Sequence, residues 1–280
     1  MKRLIVCADD FGRDAAINEA VEDAHKNGIL TCASLMVGAP AAADAIARAR
    51  RLPSLRVGLH VVLIDGVPLV PDTVLARSDG NFENNPIRAG LRYFFEPGIR
   101  RALATEIRAQ FELFQATGLT LDHVNSHQHM HLHPVIARLI VETGRDFGMR
   151  AVRLPDEPVA PLRRAFPAER QRAPAYRFTA AALRRRLRRA GLLHNDHIFG
   201  VAWSGGMDQE RVLALLSQLP GGTSEIYFHP AVERTPELET AMPGYRNRDE
   251  FDALVSPAVR RRIDELGIAL VSYSDITLSA

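Results

Sequence analysis

"RLIVCADDFGRDAAINEAVEDAHKNG", residues 3–28, decides how the rest of the chain is read. Its first third is a short apolar run that ends abruptly in two acids. The remainder places Ile17, Ala20, Val21 and Ala24 on one helical face, and Gly28 closes it. A strand handing over to a helix is half of a crossover unit, and the pattern recurs. "LTCASLMVG" leads into "AAADAIARARRL", which stops before Pro53. "LRVGLHVVL" is followed by an irregular insert over residues 65–98 and then by the helical "IRRALATEIRAQFELFQATG". "LTLDHVNSH" precedes a helix that Pro134 is placed to begin. "AVRLP", "HIFGVAW", "SEIYFHP" and "IALVSYSD" bring the candidate strands to about eight. Alternation of this kind implies parallel strands with crossover helices, and eight units predict an α/β fold built as a single TIM-like (β/α) barrel, irregular in places, with a long insert after the third strand.

Composition agrees with one globular unit. The chain has 280 residues, 46% hydrophobic and 24% charged, and no Ser/Gly linker divides it, so a single domain over residues 1–280 is expected. The apolar run after "MKR" reaches Asp9 too soon for a signal-peptide core or a membrane span. With only Cys7 and Cys32, a disulfide framework is not expected, and a cytoplasmic address is the default.

In a barrel of this type the reactive groups gather at the C-terminal ends of the strands. Those ends carry Asp9 and Asp10 on strand one, His60 on strand three and His127 on strand four, with Arg153 on strand five and His229 on strand seven. Each has a plain alternative. Adjacent acids commonly make a turn or cap a helix, for which Asp10 and Asp14 are both candidates. A histidine inside "VGLHVVL" can sit in a core, bonded to a carbonyl. His229 can lie at the surface, and Arg153 can pair with Asp156 or Glu157. It is the convergence of five segments on one mouth that favours a site. The stretch "LDHVNSHQHMHLHP", residues 121–134, adds five of the ten histidines, and their residue type points to a metal as readily as to a surface patch.

"IVCADDFG", "VGLH" and "DHVNSHQHMHLHP" in this order, with "NEAV", "NGILTCASLMV" and the later "FHPA", resemble the YdjC-like carbohydrate deacetylases, the family that includes the chitooligosaccharide deacetylases. "ASLMVGAPAAADAIARARRLPSLRVGLHVVL" and "GMRAVRLPDEP" are most similar to the branch associated with hopanoid biosynthesis. The resemblance implies a metal-dependent hydrolase that removes the acetyl group from an N-acetylated amino sugar, in that branch an N-acetylglucosaminyl hopanoid glycolipid. It implies metal ligation by Asp10, His60 and His127, a general base at Asp9, a general acid at His229, and orientation of the base by Arg153. One carboxylate and two imidazoles suit zinc or magnesium, with cobalt, nickel or manganese also compatible. Such an ion leaves positions open for a water and an acetyl oxygen, which is the help an unreactive acetamide needs. On an extended strand end His127, His129, His131 and His133 would share one side. Four imidazoles would close the ion, so His129 and His131 are assigned to substrate or supporting contacts and His133 to the helix entry. A chitooligosaccharide deacetylase, a barrel-type phosphoesterase or amidohydrolase, and a non-enzymatic metal or nucleic-acid binder fit the same residues.

Two further segments carry expectations. The insert is long enough to overhang the site, and Tyr93, Phe94 and Phe95 are candidates to stack on a sugar, the alternative being that they pack the insert onto the barrel. Residues 163–189 hold ten arginines against the single acid Glu169. "TAAALRRRLRRAG" reads as a helix capped by Thr179 and ended by Gly191, with Leu183 and Leu187 on one face. The plain reading is a solvated helix whose leucines touch the barrel. The sharper one is a peripheral contact with an anionic membrane surface that carries the glycolipid. A homodimer is the default assembly, and no nucleic-acid partner is expected.

Overall fold

Alternation along the first strand sorts its side chains into two environments. In the computed structural model of the protein, which describes residues 2–169 and 176–276, β1 (Lys2–Phe11) sends Leu4, Val6 and Ala8 into the large core beneath the helices. Ile5 and Cys7 join a smaller cluster with Cys32, Ala151, Ile198, Tyr227 and Tyr273, inside the curved sheet. Both sides are buried, which is why β1 reads as a continuous apolar run.

The next elements are α1 (Ala15–Asn27), β2 (Cys32–Leu35), α2 (Ala42–Arg51) and β3 (Arg56–Val61). Asp14 caps α1 by accepting from the Ala16 amide at 2.7 Å, and Ile17, Ala20, Val21 and Ala24 are buried as the periodicity predicts. Gly28 follows α1 because a Cβ there would meet the Leu254 carbonyl oxygen at 2.3 Å. After β3 come α3 (Pro86–Phe95), α4 (Pro97–Ala116), β4 (Leu121–Ser126), a 3-10 turn (His127–Leu132) and α5 (Pro134–Asp146). The chain continues through α6 (Val159–Ala165), α7 (Arg177–Arg189), β5 (His197–Phe199), α8 (Gln209–Gln218) and β6 (Gly222–Phe228). It ends with α9 (Pro236–Ala241), α10 (Asn247–Leu254), α11 (Pro257–Glu265) and β7 (Ala269–Val271).

All strand pairs are parallel, in the order β4-β3-β2-β1-β6-β5, and β7 pairs with residues 3–5 of β1. The sheet forms a half-barrel with helices outside it. Its remaining gap is spanned by two bridges, Val124 with Val152 and Ala151 with Leu193, and by the Ile198 amide donating to the Asp156 carbonyl at 3.4 Å. The fifth expected strand, "AVRLP", is therefore reduced to two bridge residues. The cause is local: the Asn195 side chain takes both backbone groups of Leu154, at 2.7 and 2.9 Å, where a strand neighbour would have been.

Two other expectations change. The insert is not irregular throughout, since Asn85 accepts from the Ile87 and Arg88 amides and starts α3. That helix buries Ala89 and Tyr93 and leaves Ile87, Leu91, Phe94 and Phe95 exposed. Thr179 does not cap α7. It lies inside the helix, its hydroxyl donating to the Tyr176 carbonyl at 2.7 Å. Leu183 and Leu187 are buried, so the apolar face of α7 is spent on the barrel. Arg170 and Arg172 of the basic segment lie outside the described residues. Among the described residues, no helix is long and apolar enough to cross a membrane.

Candidate active site

Regular alternation would point Asp9 into the barrel and Asp10 away from it. Asp10 instead has φ +61, and this left-handed turn at the strand end brings its carboxylate back over the mouth. The same conformation occurs at Asp65 (φ 50), Gln128 (φ 49) and His129 (φ 53), all around the same opening. Non-glycine residues held there cost on the order of 1–3 kcal/mol each, and such strain is found where side-chain placement matters more than stability.

Three strand ends deliver the mouth cluster. The donor atoms of Asp10, His60 and His127 all lie within 4.8 Å of one another, and all three residues are buried. Asp10 Oδ1 is 3.1 Å from His127 Nδ1 and 3.2 Å from His60 Nε2. The His60 Nδ1–H donates to Asn125 Oδ1 at 2.7 Å, so Nε2 presents a lone pair to the carboxylate. Neither His60 Nε2 nor Asp10 Oδ2 has a hydrogen-bond partner among the described residues. Two buried acceptors face to face call for a cation or a proton between them, and this donor set fits a divalent ion that keeps open positions. In its absence burial favours a neutral His127, but Asp10 and then Asp65 outweigh burial and push it up to about 9. Metal and proton therefore compete for this imidazole.

Asp9 is held from both sides. Arg153 donates to Oδ2, and Asn125 Nδ2 donates to Oδ1 at 3.1 Å. Burial opposes the charge of Asp9, but the Arg153 guanidinium and His60 keep its carboxyl far below the usual range. Arg153 is itself fully buried and also grips Glu225, Nε to Oε1 at 3.0 Å. Glu225 is pushed up to about 6 by its burial despite that partner. The pairing of Arg153 with Asp156 or Glu157, the plain reading of the sequence, does not occur. Asp156 pairs with Arg184, and Glu157 accepts from the amides of Gly200, Val201 and Ala202.

His229 stands at the end of β6, its ring between Tyr227 and Tyr245, with centroids at 5.6 and 5.1 Å. Glu250 accepts from its amide, and Asn247 Nδ2 donates to its carbonyl at 2.7 Å, which fixes the backbone; the buried Nδ1 has no hydrogen-bond partner among the described residues. Asp9, Asp10, His60, His127, His129 and His229 line one cavity of about 390 Å³. A second cavity of about 550 Å³ adjoins it at Asp65 and is lined by Arg13 and by Val67, Phe82 and Asn84 of the insert.

The four-histidine tract does not share one side. Left-handed Gln128 and His129 break the extended run into the 3-10 turn and fan the rings apart. His129 Nε2 lies 3.3 Å from the Tyr227 hydroxyl at the cavity wall. His131 faces away from the cavity: it is buried, with Nδ1 at 2.8 Å from Ser126 Oγ and Nε2 at 3.1 Å from the Arg153 carbonyl. It braces the backbone of Arg153 and does not reach a substrate there. Tyr93 is likewise buried, its hydroxyl donating to the Leu63 carbonyl at 2.7 Å, so it packs the insert onto the barrel. Phe94 meets the His133 ring edge-on at 6.0 Å, and neither residue is in the wall of the cavity. Asn125, Asp65, Glu225 and Tyr227 are site neighbours that the sequence reading missed. Asn125 carried a signal, since it falls between His123 and His127 at the two-residue spacing of a strand face.

The family profile for YdjC-like proteins matches residues 3–265. The chain belongs to the YdjC-like family. It is 29% identical over 273 residues to the carbohydrate deacetylase of Geobacillus stearothermophilus, covering 97% of this chain and 96% of that one. To the carbohydrate deacetylase of Thermoanaerobacter pseudethanolicus it is 27% identical over 275 residues, covering 98% and 99%. A YdjC-like chain thus aligns with these relatives over nearly its whole length. A crystal structure from Enterococcus faecalis V583, of a protein provisionally named for cellobiose-phosphate cleavage, superposes with a TM-score of 0.75 at 22% identity over 99% of both chains, which establishes the shared fold.

Proposed function

We propose that this YdjC-like chain is a metal-dependent hydrolase, a single domain that removes the acetyl group from an N-acetylated amino sugar. The observation that carries the reading is the mouth cluster: three buried donors from three strands, two of them with unpartnered atoms, in the same cavity as Asp9 and His229. The names of the full-length relatives support the reaction class.

Asp10, His60 and His127 would hold the ion, with zinc or magnesium the first candidates. When bound, the ion supplies positive charge to polarise the acetyl oxygen and to make a nearby water more acidic. Asp9 then takes the proton of the attacking water. Arg153 and Asn125 hold that carboxylate in one orientation, and Glu225, on the far side of Arg153, offsets part of the guanidinium charge that would make Asp9 too weak a base. His229 gives a proton to the departing nitrogen, its ring steered by Tyr227 and Tyr245. His129 and the adjoining cavity would hold the sugar and what it is linked to.

The finer reading is an N-acetylglucosaminyl hopanoid glycolipid, supported by the sequence resemblance and by the α3 surface. Ile87, Leu91, Phe94 and Phe95 form an exposed apolar stripe on a helix that packs beside the histidine turn, where an apolar aglycone would approach. With Leu183 and Leu187 buried, α7 offers a membrane its arginines and the exposed Phe178 near its start: Arg185, Arg186 and Arg189 share a groove with Arg138 and Arg145 of α5. Acetate release from that glycolipid and from chitooligosaccharides, run beside phosphate release from generic esters, tests the reading. Phosphate release without acetate release would replace the deacetylase with a phosphoesterase.

A further inference from the structure

Below the mouth, sealed inside the sheet, lies a second set of donors. Cys7 and Cys32 are register partners on β1 and β2, and their sulfurs lie with His123 Nε2 within 4.8 Å of one another. All three residues are fully buried, and both cysteines are free thiols. Cys7 Sγ is 3.8 Å from His123 Nε2, close to the roughly 3.5 Å that separates sulfur and nitrogen around a tetrahedral ion with bonds of about 2.3 and 2.0 Å. Ser34 Oγ adds a fourth polar atom, 3.4 Å from Cys7 Sγ and 3.0 Å from His123 Nε2.

The surroundings of His123 match those of a ligand. Asp122 Oδ2 accepts from its Nδ1 at 2.9 Å, the carboxylate–histidine arrangement that orients metal-binding imidazoles. The ring stacks on Tyr273 at 4.5 Å on one side. On the other it fills the space of the missing Gly58 side chain, whose Cβ would lie 2.5 Å from the ring. Nε2 is thus aimed at the two sulfurs and cannot swing away.

From this geometry we infer that Cys7, Cys32 and His123 form a second, structural metal site for a thiophilic divalent ion of the zinc class. Two thiolates and one neutral imidazole cancel a 2+ charge in a place where an uncompensated one would be costly. Burial alone would keep Cys7 a thiol, but its Cys32 and His123 neighbours bring it well below the ordinary range, and His123, against its own burial, is pushed up to about 10 by Asp122 and Cys7. Binding the divalent ion displaces to solvent the protons held on the two sulfurs and on His123 Nε2, leaving two thiolates and a neutral imidazole as ligands. The Ser34 hydroxyl, 3.4 Å from Cys7 Sγ, is then placed to donate to that sulfur. No oxidation occurs. The carboxylate-containing mouth cluster has no sulfur, so spectroscopy separates the two sites.

The test grows the full chain in cobalt-supplemented medium and measures metal per chain together with near-ultraviolet absorption. The expected result is two equivalents and a thiolate-to-cobalt charge-transfer band. Asp10→Ala with His127→Ala should lose one equivalent and keep the band; Cys32→Ala should lose one equivalent and the band. Zinc-edge X-ray absorption on unmutated protein decides the matter if Cys32→Ala does not fold, through sulfur neighbours at about 2.3 Å. Folded wild-type protein with no band, no sulfur neighbours, or a Cys7–Cys32 disulfide overturns the inference.

Discussion

The mouth cluster and the inner cluster are built on neighbouring barrel strands, β1 and β4 serving both, to opposite ends. Asp10, His60 and His127 open on a cavity rimmed by left-handed backbone at Asp10, Asp65, Gln128 and His129, and leave two polar atoms without partners among the described residues. Cys7 and Cys32 are directly paired on neighbouring strands and His123 lies within β4, with the imidazole clamped on both faces and bonded at both nitrogens. Strain and incomplete bonding belong to a place that must exchange water and substrate. Saturation and close packing belong to one that holds the sheet together.

The strongest way to break that contrast is at the mouth. Asp10→Ala, His60→Ala or His127→Ala is expected to abolish hydrolysis and remove the mouth metal while the protein stays folded, as followed by metal analysis and circular dichroism. Full activity in His127→Ala would remove that residue from the ligand set. Next, Asp9→Asn should retain the metal and lose about 10²–10⁴-fold in rate, the usual share of a general base. Metal loss in that variant would show the two acids in exchanged roles.

Asn125→Ala cuts the hydrogen bonds to His60 and Asp9 without touching the cavity, and is expected to weaken metal affinity at the mouth by about 10–100-fold. Titration with a metal indicator would read it, and an unchanged affinity would make Asn125 a mere filler. Gly58→Ala acts on the inner cluster alone. Its new methyl displaces the His123 ring, and a loss of about 1–3 kcal/mol in unfolding free energy is expected with the mouth metal retained.

The smallest effect concerns pH. Burial, with His129 and Arg153 nearby, keeps the folded pKa of His131 well below its ordinary value, so at mildly acidic pH the unfolded chain binds a proton that the folded chain refuses. The stability His131 contributes is present above about pH 6.5 and declines as pH falls, by at most about 1.4 kcal/mol per unit. His131→Gln should flatten the curve of unfolding free energy against pH between about 6.5 and 4.5 by up to that slope. Parallel curves would assign the acid sensitivity elsewhere.

The polar strand ends were legible because a parallel barrel places its chemistry there, and Asp9, Asp10, His60, His127 and His229 do meet on one cavity with Arg153 behind Asp9. What escaped was set by backbone torsion and by distant partners. Nothing in "HQHMH" announces that Gln128 and His129 adopt positive φ, so the rings were expected on one side and instead diverge. The loss of a full fifth strand depended on Asn195, forty-one residues beyond Leu154 in sequence. The role of Tyr93 turned on a single carbonyl, that of Leu63. Cys7 and Cys32 were read as too few for a disulfide framework, and only the strand register makes them neighbours of each other and of His123.

The Asn125 amide gives the barrel interior a sense of direction. Its oxygen takes a hydrogen from His60, its nitrogen gives hydrogens to Asp9 and Ser34, and Ser34 must then pass its own hydrogen inward, to His123 or to Cys7. An amide cannot be reversed here without setting lone pair against lone pair. The hydrogens therefore run one way from His60 through Asn125 to Ser34, and each donation polarises the next. Electron density leans outward along that line, toward the His60 ring. Whatever occupies the sealed sulfur pocket alters the last link, and His60 registers the change without any atom at the opening having moved.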